Sequence, residues 1–303
     1  MKKIRTIILN FLIIIFLLAG TETFFYNKYF QLIKFNKIPY SIKKQDFTLE
    51  SIKQYVRKPC GIDKNYKKKP ILIYGCSYAY GENLPQEETL SYFLSQKAKR
   101  PVYNFAMPAR GLQHTLYLLE NDEKVTPAPE YIFYVLIYDH ARRMYMNCSK
   151  TDDCKYIYYH LKNGKMVLQK NKYDLSERFY TSKYLKETLY FYLKNLFEEK
   201  IYNDLKSYFI AIQDAAKEKY PNTKLVIINY GIANKKILNS QRENELKKDG
   251  IEIINLRKEI KRKFNKDIKD DEYRLSPEED EYKHPNGKAW DIISDYLCEK
   301  YKL

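Results

Sequence analysis

The chain has 303 residues, 54 Lys plus Arg against 38 Asp plus Glu, and a formal net charge of +16. Hydrophobic residues make up 45%, which excludes a mainly disordered chain, and 9 Gly with 11 Pro exclude a collagen-like or linker-like composition. Five Cys with no CxxC pair exclude a disulfide framework, a zinc ribbon and a thioredoxin motif. The abundance of Lys and Tyr reads as the bias of an A/T-rich coding genome, so much of the positive charge is discounted as a functional signal. The charge is spread out and no nucleic-acid motif is present, so no nucleic-acid partner is expected.

At the N-terminus, Lys2, Lys3 and Arg5 flank an apolar run from Ile4 to Ala19, interrupted only by Arg5, Thr6 and Asn10. A spanning helix needs about 20 residues. Phe24, Phe25 and Tyr26 extend the run as an aromatic belt. Residues 1–26 therefore read as a membrane anchor, or else as a cleaved signal segment. The mediocre cleavage sequence Leu18-Ala19-Gly20 favours the anchor. Both readings put the rest of the chain outside the cytoplasmic membrane, single-pass in the first case and secreted in the second. Lys28, Lys34 and Lys37 follow the run, so the positive-inside rule supports this only in part. Residues 27–69 are basic and irregular, a linker or stalk.

From residue 70 the pattern alternates. Ile71–Gly75 is a short apolar run that ends in Gly and reads as a buried strand. Residues 87–99 have helical spacing, with Leu90, Phe93 and Leu94 on one face. Residues 101–105 read as a second strand and 112–123 as a second helix. Tyr131–Tyr138 is continuous and apolar, the mark of a central parallel strand. Residues 155–170 carry Asn163-Gly164 between apolar runs, a hairpin signal and an insertion into the βα pattern. Residues 182–219 read as two helices, 223–229 and 250–256 as strands, and 285–301 as a closing helix. The expectation is an α/β domain over 70–303 with a central parallel sheet and helices on both faces. In such sheets the site lies beyond the C-terminal ends of the strands.

Those ends carry the candidate chemistry. Ser77, in Gly75-Cys76-Ser77-Tyr78-Ala79-Tyr80-Gly81, follows the first strand on a strand-to-helix turn that suits a nucleophile. Cys76 beside it is expected to point the other way. His284 lies on a loop ahead of the last helix. An acid nearby can hold its Nδ1 and fix the tautomer that a general base needs. Glu281 has the favoured spacing and Asp280 is the alternative. No carboxylate–His cluster has metal-ligand spacing, and Gly75 to Gly81 lacks the Lys-Ser/Thr of a P-loop, so neither metal nor cofactor is expected. His114 reads as packing or surface, and His160 as solvated. Cys148 and Cys154, six apart, are expected to close a small disulfide loop in an oxidising compartment. Cys60 is left unpaired or bridging elsewhere.

Taken together these segments resemble the SGNH, or GDSL-like, hydrolase superfamily over about residues 70–303. GCSYAYGENLPQEETLSYFL is similar to the first family block, with Cys76 where the usual Asp stands. PVYNFAMPARGLQHTLYLLE is similar to the second and EEDEYKHPNGKAW to the fifth. The resemblance implies a flavodoxin-like three-layer α/β/α sandwich. It also implies Ser77 as nucleophile, His284 as base and then acid, and Glu281 or Asp280 as the orienting acid. The oxyanion would be held by the backbone N–H of Ser77 and a second-block N–H at Ala106, the family's usual Gly, with Asn104 fixing the loop and Gly111 closing the block. The third block departs from the family's Gly-x-Asn-Asp. Asp139 stands at the Asn position and cannot donate when ionised. His140 or Arg142 is the substitute, or Asp139 forms a structural ion pair with an Arg. Three functions stay open: an esterase acting on an acyl ester of an envelope glycan or lipid, an O-acyltransferase working beside a membrane-bound acyl donor protein, and a non-catalytic scaffold. Tyr156, Tyr158 and Tyr159 on the hairpin either stack on a sugar or pack onto the domain.

Overall fold

The computed structural model describes residues 57–64, 66–122, 124–144, 158–162, 165–169, 194–231, 237–280 and 283–303. The chain divides into two units. Gln45–Asn171 with Glu198–Leu303 forms one, and Met1–Lys44 with Lys172–Phe197 forms the other, which lies almost wholly outside the described residues. The expected anchor, most of the expected linker, the Cys148–Cys154 loop and Tyr156 also lie outside them. Among the described residues no helix is long and apolar enough to cross a membrane.

The strands, in chain order, are β1 (Ile71–Tyr74), β2 (Val102–Asn104), β3 (Tyr131–Ile137), β4 (Tyr158–Lys162), β5 (Lys165–Gln169), β6 (Lys224–Gly231) and β7 (Glu252–Asn255). Five form one parallel sheet in the order β2-β1-β3-β6-β7, and β4 pairs with β5 antiparallel as a separate hairpin. With the hairpin left out, the order is that of the flavodoxin-like doubly wound sheet, whose direction of winding reverses between β1 and β3. The helices are α1 (Ser77–Tyr80), α2 (Leu90–Ala98), α3 (Leu112–Asn121), α4 (Tyr138–Arg143), α5 (Lys194–Lys219), α6 (Ser240–Lys248), α7 (Leu256–Phe264) and α8 (Gly287–Tyr301).

The central strands owe their places to composition. β1 and β3 are buried at every position, as a strand covered on both faces must be. Registers Ile71↔Tyr131 and Tyr131↔Lys224 set alternate residues on opposite faces. Ile71, Ile73, Phe133, Val135, Val226 and Ile228 share one apolar cluster with Leu90 and Leu94 of α2, Ile260 of α7 and Trp290, Ile293 and Leu297 of α8. Their neighbours Leu72, Tyr74, Ile132, Tyr134 and Ile227 are equally buried, so both faces of the sheet are covered.

Two differences from the sequence reading follow from local chemistry. Tyr138 and Leu256, read as strand ends, instead begin α4 and α7, so each chain turns into a helix as soon as it leaves the sheet. The last part of the basic linker is docked on the domain. Cys60 pairs antiparallel with Val102, each N–H reaching the other's carbonyl at 3.0 Å. The Arg57 guanidinium donates to the Leu84 carbonyl at 2.9 Å and also to that of Gly81.

The approach to α8 is held by one side chain. Asn286 Oδ1 accepts from Ala289 N–H at 3.1 Å, while Nδ2 donates to the Glu272 and Arg274 carbonyls at 2.8 and 3.0 Å. It therefore caps the helix and ties it to the preceding loop. Asn286→Ala should lower the unfolding free energy by about 2 kcal/mol in urea titration, the cap and two exchanged hydrogen bonds together. A loss below about 0.5 kcal/mol would contradict this role.

Candidate active site

The site grows out of the end of β1. Gly75 has φ +149°, and a Cβ there would meet Ala79 Cβ at 2.9 Å and the Val135 carbonyl oxygen at 3.0 Å. Only glycine allows the turn that packs α1 against β3. Cys76 is extended and Ser77 opens α1, while Gly81 closes it in the left-handed region with its N–H on the Ser77 carbonyl at 3.0 Å. Cys76 is fully buried in the apolar cluster, and burial pushes its thiol pKa up. It precedes the helix as its N-cap residue, beyond the end of β1.

His284 arrives from the other end of the chain. Its loop is pinned by the antiparallel bridge Arg274↔Pro285 and by Leu275 N–H on the His284 carbonyl at 2.9 Å. The Ser77 hydroxyl lies 2.7 Å from His284 Nε2, and His284 Nδ1 lies 2.6 Å from Asp280 Oδ2. All three side chains are buried, with residue exposures of 6%, 4% and 5% for Ser77, His284 and Asp280. Asp280 Oδ2 also accepts the backbone N–H of His284, so one carboxylate fixes both the backbone and the ring. With Nδ1–H donating to Asp280, Nε2 is left as the acceptor for the serine proton. The carboxylate on Nδ1 is that of Asp280, four residues before the histidine. Glu281 lies outside the described residues.

The second block supports the serine. Asn104 is fully buried; its Nδ2 donates to the Ala79 carbonyl at 2.9 Å and its Oδ1 accepts from Ala106 N–H at 3.1 Å. It clamps α1 to the loop after β2, the loop-fixing role expected of it. The Ala106 N–H, expected to face an oxyanion, is engaged by Asn104 in this structure. The N–H of Ser77, as the first residue of a helix, has no intrahelical acceptor.

The third block is drawn into packing. Asp139 Oδ2 meets Arg143 Nε at 2.6 Å, and Arg143 Nη1 donates to the Arg110 carbonyl at 2.6 Å. This is the structural ion pair weighed above, and it ties α4 to the second-block loop. His140, expected as a substitute oxyanion donor, is fully buried with Nδ1 2.8 Å from the Tyr134 hydroxyl. Its Nε2 is buried with no hydrogen-bond partner. The structure sets it between β3 and α3, with a Gly111 Cβ position 3.7 Å from its Cδ2. The Arg142 and His160 side chains lie outside the described residues. Among the described residues no cluster of His, Cys, Asp or Glu forms a metal site.

Two neighbours of His284 escaped the sequence reading. The Tyr78 ring lies 4.9 Å from the imidazole, tilted by 58°, and itself meets Tyr230 edge-on at 5.4 Å. Glu82 Oε2 lies 3.6 Å from His284 Nε2. The available signal was positional: Glu82 is the first residue after the glycine that closes the serine turn.

No protein-family model matches the chain, and no curated protein matches it in sequence. Some solved structures do match, each at a TM-score below 0.5. A member of the lipolytic protein G-D-S-L family from Veillonella parvula DSM 2008 gives a TM-score of 0.44 at 11% identity, over 77% of this chain and 98% of that one. A lipase from a goat rumen metagenome gives 0.43 at 14% identity, over 77% and 97%. An acetyl xylan esterase from the rumen bacterium Butyrivibrio proteoclasticus gives 0.44 at 10% identity, over 78% and 65%. The solved structures that resemble this chain at these low scores thus include G-D-S-L lipolytic proteins and a carbohydrate esterase.

The buried histidines carry a pH consequence. Burial, reinforced by Arg143, holds His140 well below the usual imidazole range. Burial, with Arg110 and Arg143, does the same to His114. Both stay neutral in the fold, whereas in the unfolded chain they titrate near about 6.5. Below that pH the unfolded chain binds protons that the fold refuses, so stability falls from pH 7 to pH 5. His140→Asn should shallow that fall in urea midpoints taken at the two pH values. An unchanged slope would contradict a neutral His140.

Proposed function

We propose that this chain is a serine acyl-ester hydrolase of the SGNH type, with Ser77 as nucleophile, His284 as general base and acid, and Asp280 as the group that orients the imidazole. The observation that carries the reading is the closed hydrogen-bonded line from Ser77 through His284 to Asp280. It lies at the switch point of a doubly wound sheet, where such folds hold their ligands. A scaffold has no need of two buried polar groups aligned on a buried serine, so the geometry favours the enzyme.

The chemistry follows from the atoms. Ser77 Oγ attacks the ester carbonyl carbon as its proton passes to His284 Nε2. Asp280 holds the imidazolium that forms without taking its proton. The Ser77 N–H faces the developing oxyanion. The C–O bond to the alcohol breaks as Nε2 returns the proton to the leaving oxygen. Water gives a proton to the same nitrogen and attacks the acyl carbon; the acyl–Oγ bond then breaks as Nε2 returns that proton to Ser77 Oγ, and the carboxylic acid leaves.

The substrate class in this reading is an acyl ester on an envelope glycan or lipid. Support for that comes from residues 1–26, which read as an anchor carrying the domain outside the cytoplasmic membrane. Transfer to a sugar hydroxyl uses the same three residues, with an alcohol in place of water.

In hydrolysis of p-nitrophenyl acetate, Ser77→Ala and His284→Ala should lower kcat/KM by at least about 10³-fold, and Asp280→Asn by about 10²–10⁴-fold, with folding retained. Activity in Ser77→Ala equal to that of the native chain would refute the assignment.

A further inference from the structure

We infer that Glu82 is a specificity-determining residue that reads the alcohol side of the ester. It favours alcohols carrying a hydroxyl or cationic group beside the ester oxygen and rejects anionic ones. This rests on the esterase reading above and deepens it.

The argument is positional. His284 Nε2 must come within about 3 Å of the leaving oxygen to return its proton. Glu82 Oε2 lies 3.6 Å from that nitrogen. The carboxylate therefore stands beside the place where the alcohol leaves and where an accepting molecule enters. A carboxylate accepts hydrogen bonds and donates none when ionised. A hydroxyl one or two bonds beyond the ester oxygen would meet it as a donor, and an ammonium group as a counter-charge. A carboxylate or phosphate at the same place would be repelled, and a charge-assisted contact discriminates between the two.

The backbone that carries Glu82 is also held in place before any ligand arrives. Glu82 N–H donates to the Ser77 carbonyl at 3.0 Å, and Leu84 N–H to the Gly81 carbonyl at 3.1 Å. Asn83 between them takes a positive φ of 64°. From outside, Arg57 grips the loop by the Gly81 and Leu84 carbonyls, with its guanidinium 4.5 Å from the Tyr80 ring. A residue on so constrained a loop starts from one backbone position relative to Ser77, which a specificity group requires.

The test compares kcat/KM on four acetate esters: propyl acetate, glyceryl 1-monoacetate, acetylcholine and O-acetyllactate. The native chain, Glu82→Gln, Glu82→Ala and Ser77→Ala are assayed in parallel, with thermal melts to confirm folding. In Glu82→Ala the preference for glyceryl monoacetate or acetylcholine over propyl acetate, read as a ratio of kcat/KM values within each variant, should fall about tenfold or more. A loss confined to the glyceryl ester identifies a hydroxyl-bearing alcohol, and one confined to acetylcholine a cationic alcohol. Both Glu82 variants should gain activity on O-acetyllactate relative to propyl acetate. Unchanged ratios, or equal losses on all four esters, overturn the role of Glu82 while leaving the esterase intact. Absence of Ser77-dependent turnover on every ester overturns the esterase reading, and this inference with it.

Discussion

The 2.7 Å contact between Ser77 and His284 joins residues 207 positions apart in the chain. Most of the architecture around it serves to make that contact reproducible. Gly75 lets α1 turn tightly off β1, and Asn104 holds α1 to the loop after β2. From the other side, the Arg274↔Pro285 bridge and the Asn286 side chain fix the loop that carries His284. A hydrogen-bonded pair in a nearly dry site is sensitive to small displacements, because a misplacement of about 1 Å can cost 10²-fold in rate. The polar cost of burying Asp280 is offset by the two N–H groups of His284 that it accepts.

The sheet explains why those two loops meet. In a doubly wound order the strands on either side of the reversal send their following segments to opposite faces and open a crevice between them. Ser77 follows β1, and the third block follows β3, the pair that flanks the reversal. In the third block, though, the chain leaves the strand directly into α4, and its polar residues bind inward. Asp139 pairs with Arg143, and His140 with Tyr134. The segment is a buttress between β3 and the second-block loop. In the proposed reaction the oxyanion is left chiefly to the N–H of Ser77.

The parts legible in the sequence were those written in periodicity. β1 and β3 are unbroken apolar runs, and β6 holds Leu225, Val226, Ile227 and Ile228, because both faces of a central parallel strand are covered. Ser77 and His284 were legible because their flanking segments resemble family blocks. Other parts had no local signature. α6 buries only Leu246 and so shows no apolar stripe. α7 does bury Leu256 and Ile260, but Leu256 also reads as the end of the preceding strand, which hides the helix start. The choice between Glu281 and Asp280 depends on how a turn folds. Lys283 takes a positive φ of 53°, and its N–H reaches the Asp280 carbonyl at 3.1 Å, which brings Asp280 back onto His284. Arg57 and Glu82 gain meaning only from the loop that they share.

The central claim is that Ser77 is an activated nucleophile. The most direct measurement is covalent labelling of the whole chain with a fluorophosphonate, with the modified residue located by peptide mass spectrometry. The account predicts a single phosphonylated serine at position 77, with labelling lost in His284→Ala and greatly slowed in Asp280→Asn. A folded native chain that takes up no label, or takes it up at another serine, would contradict it.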